Sequence, residues 1–179
     1  MLRILVTSLL LAETALLVHL LRDVPSQGEP EECPIESSVL PPAYSQHCNF
    51  HPPSGFDQMV QDAAKEFGID PRLLATTVYR ESGCNASALG ASGDVGLTQI
   101  VPKVWGRALK NAGIIHATGD LWEPRTNLRA GAWILAQLSE DAEGSLWGIF
   151  RRYNGVGPRA KKYAHEQVQA FFHLWPESV

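Results

Sequence analysis

The chain has no run of basic residues, no CxxC pair, no internal repeat and, beyond position 56, no stretch in which apolar and polar residues alternate. Without a basic stripe nothing tracks a phosphate backbone. A formal net charge of -4 with 19% charged residues likewise argues against nucleic acid as a partner. Cys33, Cys48 and Cys84 are too widely spaced for an ordinary metal site, so neither a metal nor a cofactor is expected. Their odd number allows at most one intramolecular bridge. Cys33 with Cys48 would staple one segment to itself, and Cys48 with Cys84 would tie that segment to the later chain; spacing leaves both open. The missing alternation excludes a sheet-built domain and leaves helices.

What is present is unevenly spread. Seven of the twelve prolines fall between Pro25 and Pro53, whereas all five tryptophans come after position 100. That split reads as a tail followed by one domain. Residues 1–22 begin with a single cation, Arg3, and continue as an apolar run over 4–21, which fits a secretory signal peptide or a signal anchor. The run is short for a spanning helix, which takes about 20 residues. Glu13 near its middle adds roughly 3 kcal/mol to the cost of insertion. The expectation is an exported protein, periplasmic or extracellular, either cleaved or anchored to the cytoplasmic membrane through residues 4–21. Residues 23–55 lack any period and read as a Pro-rich linker.

From Phe56 the pattern is helical. Phe56, Met59, Val60, Ala63, Ala64 and Phe67 form one stripe, ended by Gly68. Asp70 is then a ready N-cap, with Pro71 at the first helical position. Further helices are predicted from Pro102 to Ala112, from Pro124 through Leu138, from a Ser145 cap to Tyr153, and from Pro158 to Phe172. The domain over 56–175 is therefore mainly α.

Within the helix from Pro71, Leu74, Thr77 and Val78 precede Glu81 at spacings that share its face. The carboxyl group ends a buried stripe, at a helix C-terminus that repels negative charge. Desolvation and the dipole both favour the neutral acid, so the pKa should rise. An acid still protonated near neutral pH suits protonation of a leaving group. "GASGDVGLTQIVP" follows, too rich in glycine to read as core and suited to close approach of backbone to a ligand. Gln99 lies between Leu97 and Ile100, where its amide needs partners that a sugar could supply. "RRYNGVGP", from Arg151 to Pro158, forms a second aromatic and glycine corner, in which Tyr153 could stack on a sugar or bond to Glu81.

Together these stretches resemble the catalytic domain of the lytic transglycosylases, which have a goose-type-lysozyme-like fold. The resemblance lies in Glu81-Ser82, in "GLTQI" with "VP" behind it, in "NLRAGAWILAQL" from Asn127 and in "YNGVGPRAKKYA" from Tyr153, and it covers about 56–172. It implies a lysozyme-like helical domain with a glycine-rich active-site loop, acting on peptidoglycan glycan strands. Glu81 would be the sole catalytic acid/base, cleaving the β-1,4 bond between N-acetylmuramic acid and N-acetylglucosamine. It would protonate the glycosidic oxygen, then take the proton of the muramoyl C6 hydroxyl as that oxygen attacks the anomeric carbon, leaving a 1,6-anhydro product. Ser82, Gly96, Gln99, Tyr153, Asn154 and Tyr163 would be substrate-binding residues. Because the substrate supplies the nucleophile, no second carboxylate is required, unlike most glycosidases.

Two positions depart from the family pattern. Thr98 stands where a methionine usually precedes the glutamine, and Gly90 stands where a serine often follows the acid by nine residues. Asp94 is a second acid within the loop; by activating water it would make the protein a lysozyme-type hydrolase, and a non-catalytic glycan-binding module is the further alternative. A role in opening the wall for a secretion or conjugation apparatus is the specialised form of the main expectation.

Overall fold

The computed structural model describes residues 48–176; the apolar run 4–21, Cys33 and most of the Pro-rich segment lie outside them. Six helices follow in order: α1 (Phe56–Glu66), α2 (Pro71–Ser82), α3 (Pro102–Asn111), α4 (Pro124–Asp141), α5 (Leu146–Tyr153) and α6 (Pro158–Leu174). A 3-10 turn at Thr118–Trp122, not foreseen in the sequence, leads into α4. Among the described residues the only β pairing is two isolated bridges, Leu89 with Val95 and Val95 with Ile100. The domain is mainly α, as the periodicity requires. No helix among the described residues is long and apolar enough to cross a membrane.

The helix starts are local chemistry. Proline opens α2, α3, α4 and α6, where its missing N–H has no partner to lose. Asp70 accepts from the Arg72 N–H at 2.8 Å, and Glu123 accepts from the N–H groups of Arg125 and Thr126 at 3.0 and 2.6 Å. At the other end of α2, Gly83 takes φ +59, a left-handed turn that stops the helix one residue after Ser82.

The centre of the fold is α2, which packs against α1, α4 and α6. Leu73 through Val78 are buried without a break, so this helix has almost no wet side until its last turn. Two of those residues are threonines, and their hydroxyls donate back to the carbonyls of Arg72 and Leu73 at 2.8 and 2.9 Å. Trp175, beyond the end of α6, donates its indole N–H to Thr76 Oγ1 at 3.0 Å and fastens the last helix to the first turns of α2.

Of the two bridges named from the sequence, the structure contains Cys48–Cys84. It joins the segment before α1 to the turn after α2, with the Cα atoms 5.4 Å apart and a sequence separation of 36. Closing a loop of that length removes about 4 kcal/mol of unfolded-chain freedom. The glycine-rich stretch corrects another expectation. Val95, Gly96, Leu97, Thr98 and Ile100 are buried, so the inner half of this loop belongs to the core. Glycine serves there to admit neighbouring side chains. A Cβ at Gly96 would stand 2.4 Å from the Asn127 amide nitrogen, and one at Gly131 on α4 would stand 2.6 Å from Thr98 Cγ2.

Candidate active site

Glu81 sits on the last turn of α2, partly buried, between the loop after that helix and α6. The Tyr163 hydroxyl, from the second turn of α6, donates to its Oε1. Burial lifts the Glu81 carboxyl from the ordinary carboxylic range to about 7. The Tyr163 hydrogen bond opposes that rise, the nearby Asp94 charge adds to it, and Arg80 opposes it weakly. Arg80 is itself engaged with Glu166, 3.3 Å away on α6. Tyr163 is partly buried; desolvation first, and the neighbouring Glu81 charge, push it well above its ordinary range, so it remains a donor.

Tyr153, at the end of α5, also lies within reach of the Glu81 charge, but its hydroxyl donates to the Thr98 carbonyl at 2.7 Å. Its first effect is to pin the loop. Ser82 acts in the same way: its buried hydroxyl donates to the Leu97 carbonyl at 2.8 Å and approaches the Val78 carbonyl at 3.2 Å. Gln99 has φ +48, a left-handed backbone, and its amide nitrogen donates to the carbonyls of Gly96 and Ala88 at 2.9 and 3.2 Å. The partners its amide nitrogen needs are therefore the loop's own carbonyls. Asn154 is exposed on the turn beyond Tyr153, next to Val156, which is 89% exposed.

The two departures from the family pattern have local explanations. Thr98 is fully buried, and both its N–H and its hydroxyl donate to Asn127 Oδ1, at 2.9 and 2.7 Å. A methionine could fill that space but not make the second bond. At Gly90, a Cβ would fall 2.2 Å from Asp94 Oδ2 and 2.8 Å from Gln99 Oε1. The Asp94 carboxylate occupies the room a serine side chain would need. Asp94 Oδ2 also accepts from the Ser92 N–H at 3.3 Å, closing its own turn.

Two residues on the apolar stripes of helices carry parts that sequence reasoning did not assign. Asn127, buried on α4, donates to the carbonyls of Val95 and Leu121 at 2.9 and 2.8 Å while accepting from Thr98, and so ties loop, 3-10 turn and helix together. Gln167 lies one turn beyond Tyr163 on α6 and is fully buried. Its amide is close enough to act on the Tyr163 hydroxyl, though neither amide atom closes a hydrogen bond of regular geometry. In both cases the signal was a polar residue at an apolar position of the helical period, which obliges it to find buried partners.

An acid that is half protonated near pH 7 has a direct kinetic consequence. If proton donation by Glu81 limits the reaction, kcat/KM should be flat below about pH 6 and fall about tenfold between pH 6 and pH 8. A pH–rate profile on a soluble substrate checks this, and a limb centred near pH 4.5 would contradict it.

One partly buried, elevated acid at a helix end, a tyrosine donating to it and a pinned glycine loop define a single-acid site on a helical domain. The Transglycosylase SLT domain family matches residues 58–172, and the chain belongs to that family. Membrane-bound lytic murein transglycosylase C of Haemophilus influenzae strain PittGG is 28% identical over 135 residues, covering 68% of this chain and 38% of that protein. The protein of the same name from strain PittEE is 27% identical over the same length. The chain thus spans well under half the length of these relatives. Among solved structures, the lytic transglycosylase Slt of Pseudomonas aeruginosa, crystallised as an inactive glutamate-to-glutamine mutant, superposes with a TM-score of 0.60. It is 17% identical over 67% of this chain and 24% of its own, a likeness of fold.

Proposed function

We propose that this protein is a peptidoglycan lytic transglycosylase with Glu81 as its only acid/base. The observation that carries the reading is a single carboxyl group, lifted to about 7 by burial and held by Tyr163. Because Tyr163 donates to Oε1, the other carboxyl oxygen is the one left to carry a proton to the glycosidic oxygen. Once that proton has gone, the Glu81 carboxylate accepts the proton of the muramoyl C6 hydroxyl while its oxygen closes on the anomeric carbon. The C–O bond to the leaving sugar breaks, a C–O bond within the muramoyl unit forms, and Glu81 ends protonated for the next turn. In this proposal Gln99, Asn154 and Tyr163 face the sugars, whereas Ser82, Gly96 and Tyr153 act by holding the loop in place.

The proposal places the reaction outside the cytoplasmic membrane, with residues 4–21 as export signal or anchor. A Cys48–Cys84 bridge suits an oxidising compartment. An anchored enzyme of this kind is suited to local wall opening for a secretion or conjugation apparatus.

The hydrolase reading has one observation in its favour, the presence of Asp94 close enough to influence Glu81. Mass spectrometry of fragments released from purified peptidoglycan separates the two. Transglycosylation yields anhydromuramoyl ends, lighter by one water than hydrolysis products. Asp94→Asn should keep that product and move the alkaline limb of the pH profile lower, because it removes a charge that raises the Glu81 pKa. Reducing muramic acid as the main product, lost in Asp94→Asn, would hand the reaction to the hydrolase.

A further inference from the structure

The family match begins at residue 58, yet the described chain begins ten residues earlier, with the bridged Cys48. The segment between them does not trail away. The Phe50 N–H donates to the Gly83 carbonyl at 3.1 Å, so the arm is fixed to the turn that ends α2 at two neighbouring points, bridge and hydrogen bond. Gly83 is shaped to receive it: a Cβ there would stand 3.1 Å from Asn49 Cβ and 3.4 Å from the Phe50 ring.

This arm walls an open pocket of about 470 Å³, also lined by residues from Asn85 to Leu89, just before the glycine loop. Asn49, Phe50, Arg80, Asn85, Ser87 and Leu89 line it, together with Glu81 and Ser82. Its size is in the range of small-molecule pockets, roughly 300–1,000 Å³. Tyr153, Tyr163, Asp94 and Gln99 do not line it, so it flanks the acid instead of enclosing it. The Phe50 ring is 55% exposed and Leu89 is 67% exposed, so two large apolar side chains are open to solvent beside the same pocket. A flat apolar ring, two carboxamides and a hydroxyl in one shallow pocket match the two kinds of surface of a pyranose, its C–H face and its equatorial polar rim. The one cation present, Arg80, is already engaged with Glu166, which disfavours an acidic peptide as the occupant.

We propose that the disulfide-held arm is an added saccharide subsite, in which Phe50 stacks on one sugar of the glycan strand beside the cleavage point. The proposal rests on the glycan-cleaving reading and extends it to residues before the family domain. The sugar is held against the ring while Asn49, Asn85 and Ser87 meet its hydroxyl and N-acetyl groups. The arm keeps its position because the bridge and the Phe50–Gly83 bond leave it little freedom.

The test measures binding of glycan strands stripped of their peptides to the full chain carrying Glu81→Gln, so that binding is read apart from turnover. Adding Phe50→Ala should weaken binding about fivefold, and Phe50→Trp should restore it. Phe50→Leu, which keeps apolar contact with Gly83 but has no ring, should behave like the alanine variant at an unchanged melting temperature. Val104→Ala, at a 66% exposed position on α3 that does not line the pocket, serves as the control. Equal binding by the Phe50 variants and the parent would overturn the proposal, as would a loss seen only with strands that retain stem peptides. If the Glu81→Gln protein still cleaves, the functional reading fails, while the Phe50 comparison continues to report on the arm.

Discussion

Replacing Glu81 with glutamine should reduce turnover of peptidoglycan at least about 100-fold, as expected when a general acid loses its transferable proton. Glutamine has nearly the same size and can still accept from the Tyr163 hydroxyl, so the helix end and loop should be undisturbed. Stability supplies the second half of the test. Because burial raises the folded-state pKa of Glu81 from 4.5 to about 7, the folded protein holds this proton more tightly than the unfolded chain. That contribution is complete below about pH 4.5, declines as pH rises, and is gone once pH passes 7. The glutamine variant has no such group to ionise. It should therefore melt at a higher temperature than the parent at pH 8, with the advantage shrinking toward pH 4. Calorimetry at the two pH values and a turnover assay together check the assignment; an active variant, or one whose melting difference ignores pH, contradicts it.

Asn127→Ala should be the most damaging single change away from the acid. The asparagine side chain is the common partner of the Val95 and Leu121 carbonyls and of the Thr98 N–H and hydroxyl, all at 2.7–2.9 Å. Truncation takes this partner from the Thr98 N–H and the Leu121 carbonyl, whereas the Val95 carbonyl still accepts from the Ile100 N–H and the Thr98 hydroxyl still reaches the Asn127 carbonyl; each unsatisfied buried group costs about 1–3 kcal/mol. The total should reach about 3 kcal/mol or more, lowering the melting temperature by roughly 10 °C in a domain of this size. Activity should fall further than stability, since the Tyr153 hydroxyl and the Gln99 amide both bond to the same loop. Asn127→Asp keeps an acceptor for Thr98 but sets a carboxylate oxygen against two carbonyls. It should therefore not rescue, and thermal melts of both variants measure the difference.

The helices were legible because their causes are local. Prolines at first turns, the Asp70 and Ser145 caps and the stripe from Phe56 each act within a few residues, and the observed ends lie within three residues of those predicted. The elevated acid at Glu81 was legible for the same reason, since the helical period alone places it beside Leu74, Thr77 and Val78. The glycine loop misled because composition says how freely a backbone bends but not what lies against it. Only when α4 brings Asn127 and Gly131 against the loop do Gly96 and Thr98 become core.

By itself the sequence determined where the helices begin and end, and that the last turn of one of them places a single desolvated acid at the end of a buried stripe. The tertiary structure decided the rest: which cysteine meets Cys48, that Tyr163 and not Tyr153 donates to the acid, that Asp94 fills the place of a missing serine, and that the arm at Asn49 and Phe50 walls a pocket. Each of those pairs residues that are far apart in sequence or separated by a turn. Propensity and period act over one or two helical turns, whereas such contacts form only once the helices have packed and fixed the direction of every side chain between them.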